Sequence, residues 1–153
     1  MLEPVYVEFV ERLVAVTKGL RLGDPLDPTT DVGPMVAEVQ RARVEDQLAG
    51  AVRGGARVLA GGDHGGRERG WFLAPTVVVD VDDTMDLLTT ETFGPVAPVQ
   101  RVGSLDEAIA RANALPYGLG ANVYTRRMDN VLRSGRPGQP QAVVVSVRPT
   151  RLA

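Results

Sequence analysis

The sequence contains no cysteine. That absence excludes disulfides, thiolate metal sites and any cysteine nucleophile supplied by this chain. Histidine occurs once, at His64 in the polar stretch DHGGRERG (63–70). With no cluster of partner ligands and no Ser and Asp placed beside it, His64 reads as a surface residue rather than a metal ligand or triad base. No apolar run approaches the roughly 18 residues of a membrane span. Glu3 and Glu8 interrupt any signal-peptide pattern at the N-terminus, so a cytoplasmic protein is expected.

Charge of one sign is also missing. The net charge is -2, which gives no reason to expect nucleic acid or a membrane surface as partner. The distribution is uneven: from Arg126 onward six Arg face one Asp, about +5, leaving about -7 on the first 125 residues. A basic end of this kind is a solvated tail. The 44% apolar and 24% charged fractions suit a globular protein, and 153 residues fit one domain with its own core.

Helical and strand periodicities alternate along the chain. Residues 4–17 read as an amphipathic helix with Val5, Phe9, Leu13 and Val16 on one face, and Pro4 suits its first turn. GDPLDPTTDVGP (23–34) is a loop. A second helix is expected over 36–53, with Val44, Leu48 and Val52 spaced by four and Gly54-Gly55 as its stop. ARVLAGG (56–62) reads as a short buried strand, FLAPTVVVDV (72–81) as another and VAPVQRV (96–102) as a third. Ser104 and Glu107 form a capping box for a helix whose apolar face is Leu105, Ala108, Ile109 and Ala112. A strand within 115–125, a short helix near 127–134, the breaker cluster SGRPGQPQ (134–141) and a strand at 142–147 complete the pattern. The alternation predicts an α/β fold with a largely parallel sheet flanked by helices.

Two familiar site patterns fail. DVDDTMDLLTTE (80–91) spaces Asp80, Asp82, Asp86 and Glu91 like a calcium loop, but Met85 stands where the sharp turn needs glycine. GLGANV (118–123) has Val123 at the third glycine position and opens a strand, so no helix N-terminus faces a phosphate. No metal site and no catalytic residue emerges.

TTETFGPVAPV (89–99) is harder to set aside. It is either an ordinary strand start or half of a small-molecule site. A carboxylate such as Glu91 can accept two hydrogen bonds from a vicinal diol. In an extended segment Phe93 projects to the same side and can pack on a flat heterocycle. Gly94 permits close backbone approach and Pro95 fixes the turn. Glu91 and Phe93 are therefore the candidate cofactor-binding residues.

TETFGPVAPV, followed by SLDEAIARANALPYGLGANVYT, resembles the aldehyde dehydrogenase superfamily. VEFVERLVA (7–15), GDPLDPTTDVGPMV (23–36), GGARVLAGG (54–62) and GWFLAPTVV (70–78) agree in order. The likeness covers about residues 5–133 and leaves 134–153 divergent, so the chain is read as one partial catalytic domain. The resemblance implies a two-domain enzyme, dimeric or tetrameric, that uses NAD or NADP. In that family a cysteine attacks the aldehyde, hydride passes to nicotinamide and a glutamate activates the water that releases the acid. The family's E-x-F-G-P motif supplies a Glu to the nicotinamide ribose and a Phe beside the nicotinamide, which map onto Glu91 and Phe93.

The departures matter as much. The cysteine, the general-base glutamate and the coenzyme domain of the family are not in this sequence. The expectation is a chain truncated at both ends that is inactive alone and binds neither NAD nor NADP by itself. Self-association or assembly with another dehydrogenase chain is expected to cover its open edges. The alternative is a non-catalytic partner of a full-length or split enzyme.

Overall fold

The computed structural model describes residues 1–117, 121–134 and 143–146. The expectations for residues 118–120, 135–142 and 147–153 lie outside the described residues. The chain divides into two compact units, Met1–Arg101 and Val102–Ala153.

The first unit is built around one strand. β1 (Arg57–Ala60), β2 (Thr76–Val79) and β3 (Val96–Val99) form a sheet in the order β1-β2-β3. β2 pairs antiparallel with β1 and parallel with β3, with Thr76 opposite Val96 and Val79 opposite Val99. Every β2 residue is buried. Side chains alternate across a strand, and the core divides accordingly. Val77 and Val79 join Ala60 and Val99 against Tyr6 and Val10 of α1 (Glu3–Gly19). Val78 joins Leu73 against Val44, Leu48 and Ala51 of α2 (Glu38–Arg53). The unit is thus a helix–sheet–helix sandwich, and each buried valine is worth about 1.5–3 kcal/mol over an exposed one.

Sequence periodicity located both helices but misplaced part of their buried faces. In α1 the buried stripe is Tyr6 and Val10, with Leu13 and Val14 packed beside them. Val5, Phe9 and Val16 are exposed. The apolar arc of this helix is wide, broken on the side of Glu8, Glu11, Arg12 and Lys18, so the pattern offers two stripes and the sheet decides between them. Arg101, following β3, strengthens the choice by placing its guanidinium 4.3 Å from the Tyr6 ring centroid and bonding Glu3 at 3.0 Å. In α2, Val44 and Leu48 are buried as expected, but Val52 is exposed and Gln47 and Ala51 take its place. β1 is no buried strand: Arg57 and Val58 are exposed at the sheet edge.

The strands are also shorter than the apolar runs. Pro75 has no donor for a ladder, and Ala74 bonds back to Asp63 O at 2.8 Å instead. β2 ends at Asp80, whose φ of 57° is left-handed and whose carboxylate meets Arg57 at 2.6 Å. The following carboxylates serve the chain locally. Asp82 accepts from the Thr84 amide at 2.8 Å, and Asp86 opens the single-turn helix α3 (Asp86–Thr89), which sequence periodicity did not indicate. His64 contacts Glu45 of α2 at 2.7 Å and lies on the surface.

The second unit holds α4 (Leu105–Asn113), β4 (Ala121–Tyr124), α5 (Met128–Ser134) and β5 (Val143–Ser146), with β4 and β5 parallel. The capping box is present. Ser104 Oγ accepts from the Glu107 amide at 3.1 Å, and Glu107 accepts from the Gly103 amide at 2.8 Å. Among the described residues the strands give a partial α/β fold with two parallel pairings and one antiparallel. Among the described residues, no helix is long and apolar enough to cross a membrane.

Gly61 shows why β1 must stop where it does. Its φ is +68°, and a Cβ there would lie 2.2 Å from Pro75 O and 2.8 Å from Thr76 Oγ1. Gly61→Ala is expected to destabilise the chain by about 1–2 kcal/mol from the left-handed backbone alone. Displacement of the Pro75–Thr76 backbone adds to that cost, and a denaturant midpoint equal to the parent's would refute this account.

Candidate functional site

The loop 90–95 enters β3 between two anchors. On the sheet side, the Thr76 amide donates to Pro95 O at 2.8 Å. On the helix side, α2 presents Gln40, Val44 and Gln47, which fall on one stripe because three- and four-residue steps return to the same face. Gln40 Nε2 donates to Phe93 O at 3.0 Å, and Thr92 Oγ1 donates to Gln47 Oε1 at 2.9 Å. Between them Gly94 lies so close that a Cβ would meet Val44 Cγ2 at 3.0 Å and Met35 Cε at 3.2 Å. The expectation that Gly94 permits close approach holds, although what approaches here is the protein's own helix.

The loop is not extended. Gly94 N bonds Thr92 O at 3.1 Å and Val96 N bonds Gly94 O at 2.8 Å, giving successive three-residue turns centred on Phe93 and Pro95. These turns run from Thr92 to Val96, so the loop departs from a regular strand after Glu91. Phe93 is 70% exposed and lines a groove of about 450 Å³ with Pro34, Met35, Val36 and Gln40. Glu91 is exposed but does not line this groove.

The opposite wall, residues 31–36, is held independently. Leu22 bridges Val32, Gly23 N bonds Val32 O at 3.0 Å, and Met35 N bonds Trp71 O at 2.8 Å. Asp31 accepts from the Arg21 amide at 2.8 Å and from its Nε at 3.2 Å. The Arg21 backbone amide, with its side chain second, holds the Asp31 carboxyl below its ordinary range.

An exposed aromatic on a tethered loop, with apolar neighbours and one amide, suits a flat heterocycle. The groove lining includes Asp31 and no Lys or Arg, so it offers nothing to a pyrophosphate. Sequence reasoning missed Gln40 and Gln47. Their signal was present, as two amides in register with Val44 on a stripe that is otherwise apolar.

A sheet covered by helices on both faces, with an aromatic displayed beside a groove at a strand start, defines an α/β protein with a candidate site on its surface. Comparison with known proteins gives the particular class. The aldehyde dehydrogenase family matches residues 1–145. A succinate-semialdehyde dehydrogenase [NADP(+)] from Mycobacterium leprae is 49% identical over 122 residues, 80% of this chain and 26% of that protein. A Mycobacterium tuberculosis counterpart is 47% identical over the same span. Among solved structures, an NADP-dependent enzyme from E. coli superposes with a TM-score of 0.87 at 36% identity, over 95% of this chain and 30% of that one. Succinate-semialdehyde dehydrogenase from Burkholderia pseudomallei gives 0.85 at 31% identity, over 95% and 30%. This chain belongs to the aldehyde dehydrogenase family. It spans about a quarter of the length of the curated relatives it matches.

The Asp31 contact sets a pH dependence. A carboxyl depressed in the folded state contributes stability that is present above its ordinary pKa and lost as pH falls through the folded value. Loosening of the 21–32 loop is therefore expected only below about pH 4. Asp31→Asn should remove that acid-side transition, as read by exchange of the Arg21 amide. An unchanged transition in the variant would show that another group controls it.

Proposed function

We propose that this chain forms the nicotinamide-facing wall of an NADP-dependent semialdehyde dehydrogenase, with succinate semialdehyde as the substrate class. The observation that carries the reading is Phe93, held out to solvent by a doubly anchored loop within the family's E-x-F-G-P motif. The mycobacterial relatives' names supply the substrate and the cofactor. Glu91 accepts hydrogen bonds from the ribose diol, and Phe93 packs beside the heterocycle. A bound nicotinamide supplies the hydride acceptor. Among the described residues the groove has no cation in its lining, so the reading assigns the phosphates to other parts of the enzyme.

The chain by itself does not carry out the oxidation. Thioester chemistry requires a nucleophile, and no cysteine is present. Without the phosphate contacts most of the cofactor's binding energy is also lost. Incubation with succinate semialdehyde and NADP or NAD is expected to yield no reduced cofactor, and turnover above a protein-free control overturns this.

A chimaera tests the wall directly. With this chain replacing the matching quarter of the Mycobacterium leprae relative, NADP-dependent oxidation of succinate semialdehyde is expected. Glu91→Gln and Phe93→Leu should each raise the KM for NADP about tenfold, the value of one charge-assisted hydrogen bond or stacking contact. An active chimaera indifferent to both substitutions removes the assignment.

A second reading is supported by the apolar outer stripe of α1, where Val5, Phe9 and Val16 are exposed. It makes the chain a non-catalytic partner that associates with itself or with a dehydrogenase. A strictly monomeric chain that fails to co-purify with a dehydrogenase counts against it.

A further inference from the structure

We infer that Gln47 is a positioning residue for the cofactor wall, acting through the hydroxyl of Thr92. This role rests on the proposal that Glu91 and Phe93 face the nicotinamide. Gln47 lies on α2, 45 residues from Thr92 in sequence, and is only 8% exposed. Its neighbours along the buried face are Val44, Leu48 and Ala51. An amide in such surroundings is disfavoured unless it is hydrogen-bonded, and the Thr92 hydroxyl supplies that bond at 2.9 Å. Thr92 is the residue between Glu91 and Phe93, so this bond ties down the peptide that joins the two candidate ligands.

Two further contacts make the arrangement specific. Gln40 fixes the carbonyl of Phe93 at 3.0 Å, and Val44 fills the space under Gly94. Positions 40, 44 and 47 span about 10 Å of helix at 1.5 Å per residue. Three contacts from one rigid stripe hold three consecutive loop residues. With the side of Gly94 occupied and the Phe93 carbonyl engaged, the Thr92 hydroxyl fixes the remaining freedom of the turn centred on Phe93. Phe93 itself is 70% exposed, so burial of its own ring does little to fix its position.

The test uses the whole chain with fluorinated phenylalanine at its three Phe positions, Phe9, Phe72 and Phe93. Gln47→Leu and Thr92→Val are each expected to shift and broaden the Phe93 fluorine line, assigned by Phe93→Leu, while the Phe9 and Phe72 lines stay in place. The double variant should shift it no further than either single one, because both remove the same bond. A Phe93 line that matches the parent in both single variants overturns the inference. So does a common shift of all three lines, which reports general loosening. Should Gln47→Leu fail to fold, Thr92→Val alone decides, since it alters only a half-buried loop hydroxyl. No cofactor enters this measurement. Its failure therefore overturns the positioning role alone, whereas failure of the cofactor wall appears in the KM of the chimaera.

Discussion

The burial of Thr76–Val79 on both faces is the constraint from which the rest of the first unit follows. A four-residue strand with three consecutive valines cannot lie at a surface without exposing half of them. It therefore requires a helix on each side and a strand along each edge. α1 takes Val77 and Val79, and α2 takes Val78. Once α2 is fixed by Val44 and Leu48, its next positions around the turn, Gln40 and Gln47, necessarily face the segment that leads into β3. The geometry of the candidate site is thus a by-product of where the core places one helix.

The location of that site has a physical reading of its own. Open α/β sheets usually bind ligands beyond the carboxyl ends of their parallel strands. Loop 90–95 lies at the opposite end, leading into β3 beside the start of β2. The groove beside it has one apolar wall, one amide and an acid. A ligand here is met by the sheet from the side and must be held from elsewhere by its charged parts.

Much of this was legible in the sequence, and the failures have identifiable causes. Strongly β-branched TVVV dictated its structure because local preference and burial agree there, and the SLDEAIARAN stretch did so through its cap, with no buried residue of its own. The E-x-F-G-P motif marked the loop. The buried face of α1 was not legible, since its apolar residues cover more than half of the helix surface, and Tyr6, meeting Arg101 and β2, marks the buried part. The loop's turns were hidden as well. Reading TETF as extended followed from its nearness to a strand, whereas the Gln40 and Gln47 contacts that anchor it come from a helix some 50 residues earlier. Such contacts leave only a faint trace in sequence, a polar residue in an apolar register.

Pro98 sits in the middle of β3, opposite Val78. Because the Thr76 amide donates to Pro95 O, strand alternation turns Ala97 and Val99 toward β2 and leaves Val96 and Pro98 facing outward. The Val96 amide is already spent on Gly94 O, and Pro98 has none. The outer margin of β3 therefore displays carbonyls but no free N–H, and an incoming strand would find half a ladder. Whatever covers this side of the molecule must grip it by side chains or donate to it one-sidedly. The same arrangement denies stray chains a template for stacking into fibrils.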